Sequence, residues 1–269
     1  MPSVQPSSVP NFLYGTAWKE DRTPALTELA IRSGFRGIDT ANQRRHYFEA
    51  GVGQGLAAAY AAGLVTRADL FLQTKFTYQA GQDHRLPYDP AASLSLQVAQ
   101  SMASSLEHLG TDHVDSFVLH GPASHSHWTT DDFETWQAMI KERDAGRTRL
   151  LGVSNISLGQ LQQMARAHAE PPAFVQNRCY ARLGWDRDVR HFCRERNIIY
   201  QDSLCSRQML KCFDILQSRL LPHRTVLRRP RYSSLSPGRL ACCRLPAHPA
   251  LNICSKTLKA VLWNCCRRL

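Results

Sequence analysis

A chain of 269 residues, 43% hydrophobic and 20% charged, can fill one barrel or two smaller domains, and one domain is expected. Its net charge of +11 suggests nucleic acid or a membrane surface as partner, but the charge is confined. Through Cys205 there are 20 Lys plus Arg against 21 Asp plus Glu, and from Ser206 onward 13 against 1, so the segment with folding potential is no basic binding face.

Cysteine divides at the same place: of nine, only Cys179 and Cys193 precede Cys205. The odd total and the absence of an apolar leader in residues 1–10 argue against a disulfide framework. No run approaches the roughly 20 apolar residues that span a bilayer. A cytoplasmic protein with no membrane and no nucleic-acid partner is expected; oligomeric state is not legible.

After a short N-terminal extension (1–10), Asn11 to Tyr14 read as a strand. Thr23 and Pro24 supply an N-cap and N1 proline for a helix to Ser33, with Leu26, Leu29 and Ala30 on its apolar face. Phe35 to Ile38 form a short strand ending at Asp39. A helix from Phe48 to Ala62 follows, its small residues Gly51, Gly53 and Gly55 suited to close packing on a sheet. Leu70 to Lys75 make the third strand, and Phe76 to Ala92 a long loop at the Lys75 end. Ser93 caps a helix in which Leu94, Val98, Met102, Leu106 and Leu109 recur at helical spacing. The fourth strand runs from Val114 to His120. Beyond a polar loop, Asp131 to Ala145 form a helix with Phe133, Trp136 and Ile140 inward. Arg149 to Ser154 form strand five, Leu158 to His168 a helix, Phe174 to Asn177 strand six, Asp186 to Arg196 a helix, and Asn197 to Gln201 strand seven. This regular alternation predicts a parallel sheet covered by helices.

Three of these strands end in titratable residues, Asp39, Lys75 and His120, at the end where a (β/α)8 barrel places catalytic side chains. With Tyr47 just beyond the first, they resemble the tetrad of the aldo-keto reductases. The resemblance implies an α/β TIM-type barrel over 11–201, incomplete after the seventh strand, that uses NADPH to reduce the aldehyde or ketone group of a small molecule. It assigns Tyr47 as proton donor, Lys75 and Asp39 as its activating pair, and His120 as the group that orients the carbonyl oxygen. A free tyrosine is too weak an acid for this, and a neighbouring ammonium lowers its pKa. Counting back from Gly53 and Glu49 by the family's spacing lands on His46, which remains a rival to Tyr47. For the cofactor, Gly152-Val153-Ser154-Asn155 resembles the family's strand-five motif, in which Ser154 and Asn155 hold the carboxamide. Gln176 matches the strand-six glutamine and Thr16 the first-loop threonine. The family's nucleotide-gripping segments after strands seven and eight have no counterpart. His120, His125, His127 and Cys179 lack zinc-ligand spacing, and no metal is expected. The alternative is an inactive, truncated barrel remnant with a basic tail.

Residues 202–269 change abruptly in charge, cysteine and periodicity, and Arg228-Arg229-Pro230-Arg231 and Leu245-Pro246 cannot lie inside regular elements. Codons for 202–216 read one base out of frame can spell FSLLTANAEVLRHP, which resumes the family's barrel pattern, and later stretches do the same in family order. A one-base change of frame near codon 202 is therefore the hypothesis. A genomic read through that codon without a family-like alternate frame would contradict it.

Overall fold

In the computed structural model the described residues are 9–168 and 170–203. Residues 1–8 of the N-terminal extension, and 204–269 with the frame hypothesis that concerns them, lie outside the described residues. Among the described residues seven strands run in chain order: β1 (Leu13–Gly15), β2 (Gly37–Asp39), β3 (Phe71–Phe76), β4 (Val114–Leu119), β5 (Thr148–Ser154), β6 (Phe174–Asn177) and β7 (Ile199–Asp202). Each pairs in parallel with the next, in the order β1-β2-β3-β4-β5-β6-β7. Six α-helices alternate with them: α1 (Thr23–Arg32), α2 (Glu49–Ala61), α3 (Leu94–Leu109), α4 (Thr130–Asp144), α5 (Leu158–Ala167) and α6 (Arg187–Glu195).

The sheet is curled as in a barrel, because side chains meet across its concave side. Gln73 of β3 and Gln201 of β7 exchange hydrogen bonds of 2.9 and 3.0 Å. Four strand spacings separate those strands, about 19 Å in a flat sheet. Phe71 of β3 and Phe174 of β6 likewise meet with ring centres 6.1 Å apart. Alternation explains the division of labour. Phe71, Gln73 and Lys75 share one face of β3, while Leu72 and Phe76 join the core under the helices with Val52, Leu56, Val98 and Met102. All six residues of β3 and of β4 are buried, as expected of strands covered on both sides. These strands, with the predicted helices, form seven of the eight strand units of a (β/α)8 barrel.

Several local expectations are corrected. Thr23 is the first residue of α1 rather than its cap, and its hydroxyl donates to the Glu20 carbonyl at 2.6 Å. Leu29 is 54% exposed, and the buried face of α1 is Thr23, Thr27, Ala30 and Ile31. Phe133 is 42% exposed at the start of α4, where it stacks on His168, while Trp136 goes into the core. Gly53 and Gly55 of α2 serve helix-to-helix contact rather than the sheet, while Gly51 lies against the Phe48 ring. A Cβ on Gly53 would stand 1.9 Å from the His108 carbonyl oxygen at the end of α3, and one on Gly55 2.6 Å from the Pro24 carbonyl of α1. Ser93 caps α3 as its position suggests, accepting from the Leu96 amide.

Candidate active site

The C-terminal ends of the parallel strands gather the residues that matter. Asp39 closes β2, Lys75 lies one residue before the end of β3, and His120 follows β4. Lys75 is 1% exposed, and its Nζ donates to Asp39 Oδ1 at 2.5 Å and to the Thr40 carbonyl at 2.8 Å. A buried ammonium needs such partners, since an unpaired charge there would be costly. Tyr47 sits over this pair, its ring centre 5.3 Å from Lys75 Nζ and 5.8 Å from the centre of the His120 ring, which it meets edge-on. Asp39, Tyr47, Lys75 and His120 are thus brought together. His46, half-buried, packs instead on the exposed Trp18, with ring centres 4.1 Å apart and the planes tilted by 39°. The Trp18 amide donates to its carbonyl at 2.7 Å.

The electrostatics follow from burial and from one cation. Burial works to lower the Lys75 pKa, but the Asp39 carboxylate and Tyr47 outweigh it and hold the group above its ordinary value as an ammonium. Burial pushes the Tyr47 phenol up, while Lys75 pulls it down and Asp39 adds to the rise. Its net direction is upward, so the expectation of a lowered tyrosine pKa is not met in the protein alone. The lysine's influence is present, but loss of water from around the phenol exceeds it. Burial drives the His120 imidazole down to about 3, helped by Lys75, His46 and Arg178. His120 is therefore neutral, and its Nδ1 is joined to the Thr77 hydroxyl at 2.7 Å. When that hydroxyl donates, the ring proton lies on Nε2, free to point at a ligand.

The residues expected to hold a cofactor sit on the neighbouring strands. Ser154, buried at the end of β5, donates to the Gln176 backbone carbonyl at 2.7 Å. Asn155, at φ 51, donates through Nδ2 to the His120 carbonyl at 2.7 Å and to Ser154 Oγ at 3.2 Å. Gln176 is buried in β6, with its Nε2 on Gln201 Oε1 at 3.1 Å. Thr16 stands apart: it is fully buried, and both its amide and hydroxyl donate to the Asp39 carbonyl at 3.0 Å. It anchors the backbone beneath the site.

Sequence reading missed Gln73, Gln201, Thr77 and Arg178. Gln73 donates to Asp39 Oδ1 at 2.8 Å. Its signal was available, an amide in a buried strand sharing the parity of Lys75. Arg178 is exposed, two residues beyond Gln176, and its charge reaches Tyr47 and His120. The loop after β3 is firmly built: Tyr88 donates to the Thr77 carbonyl at 2.8 Å, Gln82 to the Asn42 carbonyl at 2.9 Å, and Gln43 to the Gly81 carbonyl at 2.6 Å. Among the described residues no group of three His, Cys, Asp or Glu could hold a metal ion, and no helix is long and apolar enough to cross a membrane.

Comparison with known proteins gives a consistent picture. The model of the Aldo/keto reductase family matches residues 14–200. The Bombyx mori aldo-keto reductase AKR2E4 is 35% identical over 158 residues, covering 56% of this chain and 46% of that protein. Protein REDOX 2 of Catharanthus roseus is 31% identical over 221 residues, covering 74% of this chain and 63% of that protein. The chain thus spans about half to two thirds of the length of these relatives. Among solved structures, the Bombyx mori aldo-keto reductase in complex with NADP superposes with a TM-score of 0.57 at 27% identity, over 72% of this chain and 62% of that one. An aldo/keto reductase from Brucella melitensis gives 0.58 at 26% identity, over 78% and 75%.

Proposed function

This chain belongs to the aldo/keto reductase family, and from that premise we propose that its strand-end cluster reduces an aldehyde or ketone to an alcohol with NADPH. The observation that carries the proposal is the buried Asp39–Lys75 pair lying under Tyr47, with a neutral His120 beside it. NADPH, when bound, supplies a hydride to the carbonyl carbon and leaves as NADP+.

Every other contribution comes from the chain. Tyr47 gives its phenolic proton to the carbonyl oxygen as charge builds there. The raised phenol pKa keeps that proton in place through the neutral range, and the Lys75 ammonium stabilises the phenolate left behind. Asp39 keeps the ammonium from turning away. With the Thr77 hydroxyl donating to its Nδ1, His120 donates from Nε2 to the same oxygen and so orients the substrate. The residues on β5 and β6 suit a nicotinamide carboxamide. Gln176 Oε1 has no donor among the described residues, its Nε2 being engaged with Gln201. A ligand N–H would satisfy it. Relatives supply support: the Bombyx mori structure is a complex with NADP.

A second reading, a barrel portion that holds no cofactor, is supported by the family match ending at residue 200 and by the share of its relatives the chain spans. The test is NADPH oxidation followed at 340 nm with a panel of aldehydes, comparing the full chain with Tyr47→Phe. Consumption that depends on Tyr47 supports the reductase. No consumption and no quenching of tryptophan fluorescence by NADPH would favour the second reading.

A further inference from the structure

The concave side of the sheet holds a run of three glutamines that ends on a carboxylate. Gln73 Nε2 donates to Asp39 Oδ1 at 2.8 Å and to Gln201 Oε1 at 2.9 Å. Gln201 Nε2 returns a bond to Gln73 Oε1 at 3.0 Å, and Gln201 Oε1 also accepts from Gln176 Nε2 at 3.1 Å. The polarity of this run follows from Asp39. An ionised carboxylate only accepts, so Gln73 must present its NH2 group there. Both of that group's protons are then used, one on Asp39 and one on Gln201, and Gln73 is left to accept through Oε1. Gln201 must meet it with nitrogen, which turns Gln201 Oε1 to the pair of incoming NH2 groups. Gln176 therefore presents nitrogen to Gln201 and keeps Oε1 as an acceptor. Rotating any one amide by a half turn would set two like atoms against each other at hydrogen-bond distance.

We propose that Gln73 and Gln201 form an amide clasp that positions the reductase site at two points: it holds the Asp39 carboxylate toward Lys75, and it fixes the Gln176 amide with its oxygen outward to take the NH2 of a nicotinamide carboxamide. Neither glutamine touches the reacting atoms; both are positioning residues. The clasp also ties β7 to β3 across the interior, so the placement of the pair on β2 and β3 depends on the last described strand. The second point rests on the reading of the chain as an NADPH enzyme, whereas the first does not.

The test uses the full chain and needs no turnover. In the wild type, the side-chain N–H protons of Gln73 and Gln201 should exchange with solvent at least about tenfold more slowly than those of the exposed Gln79, as hydrogen-bonded amides do. Equal rates would overturn the clasp. The informative variant is the double substitution Gln73→Met and Gln201→Met, which replaces both partners of the reciprocal Gln73–Gln201 bonds by apolar chains of similar length and leaves Gln176 Nε2 and Asp39 each one hydrogen bond short. It should remain folded, with a thermal midpoint near the wild type, while the Lys75 ammonium, read by 15N-lysine NMR, loses exchange protection about fivefold to tenfold. An unchanged Lys75 signal in the folded double variant would show the clasp to be structural only and overturn the proposal. NADPH binding, followed by tryptophan fluorescence, should weaken by about the same factor. If the wild type binds no NADPH, the functional reading fails, and the clasp at Asp39 is still decided by the Lys75 signal.

Discussion

Replacing Asp39 with alanine isolates the electrostatic core of this site. Lys75 is 1% exposed, and in the wild type the Asp39 carboxylate 2.5 Å away, with Tyr47, overcomes the effect of burial. Without that carboxylate, burial prevails and the Lys75 pKa falls below its ordinary value near 10.5. Stranding one partner of a buried pair costs about 3–5 kcal/mol, and Gln73 losing its acceptor adds to it. The sign of the pH dependence follows. In the wild type a raised lysine contributes stability that is fully present below the unfolded value and is lost only as pH rises through the still higher folded value. In the variant the lysine is depressed, so at pH 7 it must either stay charged and unpaired or give up its proton. The penalty shrinks as pH climbs toward the unfolded value. Urea melts at pH 7 and pH 9.5 should therefore give a wild-type advantage of about 3 kcal/mol or more at the lower pH and a clearly smaller one at the higher. Asp39→Asn, which keeps an acceptor oxygen, should lose less. A difference below about 1 kcal/mol, the range of exposed ion pairs, or one independent of pH, would refute the argument that Lys75 depends on Asp39 for its charge.

Further outcomes follow from the same geometry. His120 should show no imidazole titration by NMR between pH 8 and pH 5, because burial holds its pKa down at about 3; a midpoint near 6.5 would contradict its neutral role. Tyr47→Phe should lower carbonyl reduction by about 100-fold or more, the usual contribution of a positioned acid. The wild-type rate should stay level through neutrality and fall only above about pH 10, where a tyrosine raised by burial loses its proton. Gly53→Ala should destabilise the chain by about 1–3 kcal/mol in a thermal or urea melt, since its Cβ meets the His108 backbone at 1.9 Å. Gly159→Ala in α5, with nothing within 4 Å, should be neutral or stabilising by up to about 1 kcal/mol. Equal effects would mean that α2 and α3 are not in close contact.

What could be read from the sequence was what repeats or what carries charge. The β-then-α alternation fixed six units and a seventh strand, and Asp39, Lys75 and His120 stood out because each lies at or just short of the end of an apolar strand. The choice between His46 and Tyr47 needed three dimensions: adjacent residues in a loop point in different directions, and it is the Tyr47 ring that lies against Lys75 and His120. Helical spacing put Phe133 and Trp136 on one face, but Phe133 sits in the first turn and stacks on His168, a residue 35 positions later whose approach no local pattern announces. The α2 glycines looked suited to a sheet because small residues reveal closeness without saying to what. Gln201 was unreadable as a partner of Gln73, for the two are 128 residues apart and meet only when the sheet curls. Thr16 matched by its place in the chain, and its burial against the Asp39 carbonyl appears only in the fold.

The most direct test of the proposed chemistry is to incubate the full chain with an aldehyde and NADPH deuterated at C4 on the transferring face, running both stereoisomers, and to examine the alcohol by mass spectrometry. The account predicts alcohol carrying deuterium on the former carbonyl carbon from one isomer, formed by the wild type and at most about one hundredth as fast by Tyr47→Phe. Alcohol without deuterium from either isomer, equal rates in the two proteins, or no alcohol from the wild type would contradict it.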